Sequence, residues 1–264
     1  MTEAGTQAQP GTQRAAQPPP SPVRSCRGLH SLQSLAGTIA IAIFVITFVV
    51  QAFQIPSESM QKTLLIGDYL LVDKAHYGHS GVWSWLLPYR PIQRQDIIVF
   101  RYPVNPRQHF VKRVVALPGD HLRLVDKHVY VNGVRQNDAY ATFKSEWRDR
   151  FRDDFPDGGF YGDKISARWF LQARKLTEAG ELVVPRDSYF VLGDNRDDSY
   201  DSRYWGFVPR ENIVGRPLLI YWSMDRSEAQ VAGLLPSDRL SSLTFNVSHL
   251  FSCLRWHRML RIPQ

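Results

Sequence analysis

The sequence predicts a mainly β body, carrying an inserted β-rich subdomain and preceded by one transmembrane helix. Three observations predict that class. Residues 28–57 contain no Asp, Glu, Lys or Arg, and residues 35–53 are almost entirely apolar. From residue 68 onward, short β-branched runs follow one another with turn residues between them and no long helical pattern. Residues 136–180 then break the rhythm with charge and aromatic side chains before the strands resume.

Composition bounds the answer without deciding it. A length of 264 residues allows one large domain or two small ones at about 150 residues each. With 44% hydrophobic and 22% charged residues, the chain is neither wholly disordered nor a multi-span membrane protein. Two cysteines, Cys26 and Cys253, cannot build a disulfide framework or a four-cysteine zinc site. The formal net charge of +7 suits an anionic membrane surface as well as nucleic acid.

Taken in order, residues 1–30 form a disordered arm, rich in Gln and Pro, with few aliphatic side chains to offset the entropy of ordering. Residues 31–54 form the spanning helix. The nineteen residues of its apolar run, 35–53, cover roughly 28 Å at about 1.5 Å each, close to the thickness of a bilayer's hydrocarbon core. A cleaved signal peptide is the competing reading, with Val50-Gln51-Ala52 as its cleavage site, but such apolar cores run about 7–15 residues. A buried globular helix would need a polar face, and this run has none. Arg14, Arg24 and Arg27 precede the run, whereas Glu58, Lys62 and Asp68 follow it, which sets the N-terminus on the cytoplasmic side.

Residues 55–135 and 181–225 make up the β body. Its strands are the runs 68–73, 96–101, 110–115, 122–125, 129–131, 189–192 and 218–221. Pro118-Gly119-Asp120 and Asn132-Gly133 supply turns, the second a hairpin signal. Residues 136–180 form the inserted subdomain. Residues 226–264 give a polar connector and an amphipathic basic tail, in which Arg255, Arg258 and Arg261 alternate with Leu254, Trp256 and Leu260. Such a tail suits a membrane interface, or forms a last element packed on the body.

Three segments carry candidate chemistry. Ser57 and Ser59 sit in Ile55-Pro56-Ser57-Glu58-Ser59-Met60, just beyond the apolar run, where serines also serve as ordinary turn and helix caps. Lys112 and Arg113 are neighbours in Phe110-Val111-Lys112-Arg113-Val114-Val115, so their side chains take opposite faces of a strand apolar on both sides. One cation is thereby forced inward. A buried lysine loses the hydration of its ammonium, which pulls its pKa toward the range of a general base, unless the amine reaches out to solvent. The loop Gly193–Arg203 is dense in Asp, Asn, Ser and Arg; Arg196 stands where a calcium loop needs an oxygen, and Asp201 and Arg203 are close enough to pair.

In this order behind one apolar span, the three segments and Asp96-Ile97-Ile98-Val99-Phe100-Arg101 resemble the type I signal peptidases, the serine–lysine proteases that remove signal peptides from exported proteins. The resemblance covers residues 55 to about 223. It implies Ser59 as nucleophile, Lys112 as general base, Ser57 as an oxyanion donor beside the Ser59 amide, and Ser199 as the serine that orients the lysine. It also implies Asp201 and Arg203 as the pair that holds the loop, and Ile55, Leu64 and Val111 as pocket residues for small side chains. No metal or other cofactor is implied. The implied partners are signal-peptide-bearing precursors, membrane lipid and the protein export machinery, with no nucleic acid, at the bacterial cytoplasmic membrane. Lys62 stands where many members carry proline, and the tail with Cys253 lies outside the matched region.

Other readings stay open on sequence grounds. A Ser-His-Asp hydrolase would take His109 or His76 as base. A metalloprotease lacks its H-E-x-x-H motif here. A membrane-tethered β-rich binding module, or an inactive relative, would keep the fold without needing the serine–lysine pair.

Overall fold

The computed structural model describes residues 27–77, 90–156, 165–225 and 253–263. The expected arm (to residue 26) and the connector to residue 252 lie outside the described residues. The chain divides into two compact units, one ending at Ala42 and the other running from Ile43 onward.

Helix α1 spans Arg27–Phe44, a π-helical turn follows at Val45–Val49, and β1 occupies Val50–Gln54. The expected helix over 31–54 is thus corrected at both ends. At its start, Arg27–His30 are already helical, in place of the end of the arm. At its end, β1 pairs with β2, Asp68–Asp73, from Val50 opposite Asp73 to Gln54 opposite Tyr69. That ladder satisfies the backbone of a stretch which hydropathy alone reads as helix. The apolar helical part, Leu35–Val49 with its π-helical turn, then covers roughly 20 Å, and among the described residues no helix is long and apolar enough to cross a membrane.

The remaining strands follow in chain order. They are β3 Ile97–Arg101, β4 His109–Ala116, β5 His121–Val125, β6 His128–Val131, β7 Val134–Arg135, β8 Thr177–Glu178, β9 Glu181–Val183, β10 Ser188–Leu192, β11 Val208–Pro209 and β12 Ile213–Ser223. Three short helices join them, α2 Arg150–Asp153, α3 Ala167–Lys175 and α4 Ser202–Trp205. An antiparallel sheet of seven strands runs β1-β2-β12-β3-β4-β10-β11, and a second of five runs β7-β6-β5-β9-β8. The mainly β class therefore holds.

Local chemistry accounts for the turns that join these strands. Asn132 and Gly133 both take positive φ, 51° and 77°, as the tight turn between β6 and β7 requires. Gly119, at φ 85°, turns the chain from β4 into β5. Strand β12 is longer than its expected core of 218–221 because Gly215 admits a close crossing: a Cβ there would collide with the Asp73 carbonyl. Register shifts beyond Gly215 let β12 pair with both β3 and β2.

The strands of the second sheet flank residues 136–180 more than they lie inside them. That segment supplies α2, α3 and β8. Aromatic packing explains the arrangement, since Phe151, Phe155 and Trp169 join Leu122, Val131, Leu182 and Phe190 in one buried cluster. A separate cluster of Ile55, Met60, Leu64, Leu70, Val72, Ile97, Val99 and Ile220 lies under the Ser59 turn.

The end of the chain packs on the body in this structure. Cys253 and Leu254 are buried, and residues 254 and 261 form β-bridges with Met224 and Ile220.

Candidate active site

Ser59 lies on a single 3-10 turn, Glu58–Met60, that begins where Pro56 ends β-type pairing. The loop around it is closed by backbone bonds from Ile55 N–H to the Asp68 carbonyl, 2.9 Å, and from Gly67 N–H to the Ile55 carbonyl, 3.2 Å. Met60 is buried and pulls the turn inward, so Ser59 is only 8% exposed while Ser57 stays exposed. Lys62 has φ 86°, a value closed to proline, and its ammonium donates to the Ala139 carbonyl at 2.7 Å. The departure at this position is therefore matched by a local backbone conformation that proline could not adopt.

Strand β4 brings the second group. Lys112 is 4% exposed, and its Nζ lies 2.5 Å from Ser59 Oγ. Burial lowers its pKa from the ordinary 10.5 to about 8, while Asp201 and Asp194 pull it part of the way back. Arg113 is buried as well, at 3%, so both cations point into the protein, on opposite faces of β4. Arg113 meets Asp194 with two bonds of 2.7 Å, donates to the Gln95 carbonyl at 2.8 Å, and stacks 4.0 Å from the centroid of Tyr140. Thr63 Oγ1 donates to the same Asp194 carboxylate at 2.6 Å, which links the Ser59 loop to β4.

The loop after β10 packs against both. Asn195 N–H donates to the Ser59 carbonyl at 3.1 Å. A Cβ at Gly193 would strike Ser199 Oγ and the Ser59 carbonyl, so only glycine fits there. Asp201 and Arg203 are fully buried and pair through two bonds of 2.8 Å, with Gly193 N–H donating to Asp201 at 3.1 Å. Burial pushes the Asp201 carboxyl up, but Arg203, the Gly193 amide and Lys112 outweigh it and hold the group below its ordinary value. Arg203 also donates to the Arg196 carbonyl at 2.8 Å and to the Arg152 carbonyl at 3.2 Å.

The structure thus gathers most of the expected residues around one cleft of about 370 Å³, floored by Ser57, Ser59 and Lys112. Ile55 and Val111 line it. Ser57 Oγ lies 3.3 Å from Ser59 Oγ. Ser199 is buried beside Gly193, and its Oγ has no hydrogen-bond partner among the described residues. Leu64 does not reach the cleft: it is fully buried in the cluster beneath and faces a neighbouring cavity shared with Glu58 and Arg255.

Phe53, Phe110, Asp198 and Tyr200 also line the cleft and were not anticipated. Phe110 could have been found, because it shares a strand face with Lys112. Phe53 was hidden by its reading as membrane helix.

Of the rival bases, His109 lines the same cleft and His76 does not, and neither is among the described hydrogen-bond partners of Ser59 Oγ, which are Lys112 and Ser57. His109 stacks on Phe53 at 5.3 Å between ring centroids, and His76 bonds Asp73. Among the described residues no three His, Cys, Asp or Glu gather as a metal site.

Comparison with known proteins gives a consistent family. Residues 29–222 match the model of the family described as signal peptidase, peptidase S26. The chain is 31% identical over 258 residues to signal peptidase I of Buchnera aphidicola from Acyrthosiphon pisum, with 81% of this chain and 82% of that protein covered. It is 35% identical over 231 residues to signal peptidase I of Aquifex aeolicus, covering 76% and 84%. A solved signal peptidase I of Enterococcus faecalis aligns with 34% identity over 48% of this chain and 97% of that one, at a TM-score of 0.36. On the family match and the identity to these relatives, the chain belongs to the signal peptidase, peptidase S26, family.

Proposed function

We propose that this peptidase cleaves N-terminal signal peptides from exported precursor proteins by acyl transfer, with Ser59 as nucleophile and Lys112 as general base. The observation that carries the reading is the buried contact of 2.5 Å between Lys112 Nζ and Ser59 Oγ, with a lysine pKa near 8. A lysine that is neutral near the working pH accepts the Ser59 proton as Oγ attacks the peptide carbonyl. It then returns that proton to the leaving amine. Water, activated by the same amine, releases the acyl group.

Ser57 and the Ser59 amide hold the developing oxyanion; loss of one such donor typically costs about 10²–10³ in rate. Ser199 Oγ, buried and without a hydrogen-bond partner among the described residues, accepts from the lysine ammonium and aims it. Asp201 and Arg203 hold the loop that carries Ser199. Ile55 and Val111 narrow the cleft to small side chains next to the scissile bond.

The charge-free helical residues 28–49 anchor the enzyme in a bacterial cytoplasmic membrane, N-terminus inside and body outside, where precursors and the export machinery meet it. The positive charge of Arg14, Arg24 and Arg27 supports that orientation. Anchoring raises the effective concentration of membrane-bound substrate.

The test is cleavage of a precursor with an Ala-x-Ala site in detergent or lipid by wild type, Ser59→Ala and Lys112→Ala, with EDTA as a metal control. Cutting by wild type alone, indifferent to EDTA, is expected. A folded wild type that does not cut turns the reading to a binding module or an inactive relative, and full activity of Ser59→Ala removes the nucleophile.

A further inference from the structure

The end of the chain, beyond the family match that stops at residue 222, reaches back to the loop that bears Ser59. Arg258 is 7% exposed, on a 3-10 turn at Trp256–Arg258. It grips Asp68 with both arms of its guanidinium, Nη2 to Oδ2 at 2.6 Å and Nε to Oδ1 at 3.2 Å. The same Nη2 donates to the Thr63 carbonyl at 2.9 Å.

Asp68 is fully buried, and it is the residue that closes the loop. Its carbonyl accepts from Ile55 N–H at 2.9 Å, and its carboxylate accepts from Leu65 N–H at 2.9 Å and from Ser223 Oγ at 2.6 Å. Thr63 is the residue whose hydroxyl meets Asp194, the partner of Arg113 beside Lys112. Arg258 therefore touches both anchors of the Ser59 loop: the end at Asp68, and the midpoint at Thr63.

The segment carrying Arg258 is itself pinned to β12. Leu260 N–H donates to the Ile220 carbonyl at 2.7 Å, Ile220 N–H to the Arg261 carbonyl at 2.9 Å, and Arg255 N–H to the Ser223 carbonyl at 3.0 Å. Strand β12 pairs with β2, which begins at Asp68. A planar fork on a buried carboxylate fixes direction as well as distance, which a flexible ammonium does not.

We infer that Arg258 is a positioning residue for catalysis, which holds Ser59 at its distance from Lys112 by clamping Asp68 and the Thr63 carbonyl. The inference rests on the assignment of Ser59 as nucleophile. Displacing Thr63 and Asp68 shifts Ser59 against Lys112, while the cleft walls at Phe110 and Val111 on β4 stay in place and Ile55, held by its own backbone bonds to Asp68 and Gly67, moves least. The loss is therefore expected in kcat and not in KM.

The experiment compares full-length wild type, Arg258→Gln, Arg258→Lys and Arg261→Gln in detergent, with kcat and KM on one precursor and near-UV circular dichroism as the check of folding. Arg261 is exposed, and its side chain serves as the control on the same segment. Arg258→Gln is expected to lose about 10- to 100-fold in kcat, with KM within about twofold. Arg258→Lys is expected to recover part of that loss, and Arg261→Gln to match wild type.

If Arg258→Gln does not fold, the double variant Asp68→Asn with Arg258→Met removes both buried charges. That protein is expected to fold and still to lose kcat, because the bond from Arg258 to the Thr63 carbonyl is gone. Wild-type kcat in either folded variant, or a loss confined to KM, overturns the inference. Ser59→Ala, run alongside, separates the two claims: cleavage by that variant breaks the nucleophile assignment, whereas a dead Ser59→Ala beside fully active Arg258 variants breaks only the clamp.

Discussion

Two buried regions in contact treat positive charge in opposite ways. In the loop after β10 and on the back face of β4, Arg203 and Arg113 each meet a carboxylate at two points, Asp201 and Asp194 respectively. On the front face of β4, Lys112 is as deeply buried, yet its nearest polar partner is the neutral hydroxyl of Ser59. The paired arginines brace the structure. The lysine, denied a direct counter-ion, is driven toward the neutral form a base requires. One strand thus carries, at adjacent positions, a cation held by a carboxylate and one held by a hydroxyl, separated only by the alternation of its side chains.

The largest expected effect comes from erasing that difference. Lys112→Arg puts a permanently charged guanidinium where the proposed mechanism requires a neutral amine, and cleavage should fall by at least about 10⁴-fold, read by single-turnover assay. Activity within tenfold of wild type would mean that a paired and an unpaired cation are interchangeable there.

Next comes the paired side. Asp201→Asn leaves Arg203 buried without its carboxylate and should cost about 3–5 kcal/mol of stability, read by denaturant unfolding of the folded body. Because the native Asp201 carboxyl is held low, its own contribution is present above the ordinary carboxylate range and disappears as the pH falls through its lowered value.

The smallest effect is a gain. Lowering the Lys112 pKa from 10.5 to about 8 costs about 3 kcal/mol at roughly 1.36 kcal/mol per tenfold change in proton affinity. Between those values the unfolded chain keeps a proton that the folded one has released, so stability rises with pH across that window. Lys112→Met should therefore be more stable than wild type by about that amount below pH 8, with the gain fading toward pH 10.5.

Much of this contrast was legible in the sequence, because a strand with two apolar faces and two adjacent cations has to bury at least one. That both are buried was not legible, since the partner of Arg113 lies 81 residues away, in another loop. The strand runs around 68–73, 97–101 and 110–115 were readable from their β-branched content. Strand β1 was not, because five residues at the end of a longer apolar run carry no period that separates strand from helix, and only its pairing with β2 decides. The Arg258 clamp was equally hidden. An arginine in an amphipathic tail looks like a surface cation until the fold brings Asp68 beneath it. Leu64 lies outside the cleft for a similar reason, since a leucine close to Ser59 in sequence is as readily drawn into the core below it.

The account turns on Lys112 acting as a neutral base, and the pH dependence of kcat/KM tests that most directly. Measured on one precursor from pH 6 to 10, the profile should rise with pH and level off above about 8, the value that burial gives Lys112 in the free enzyme. A profile that is flat, or that falls between pH 6 and 9, would contradict a lysine base.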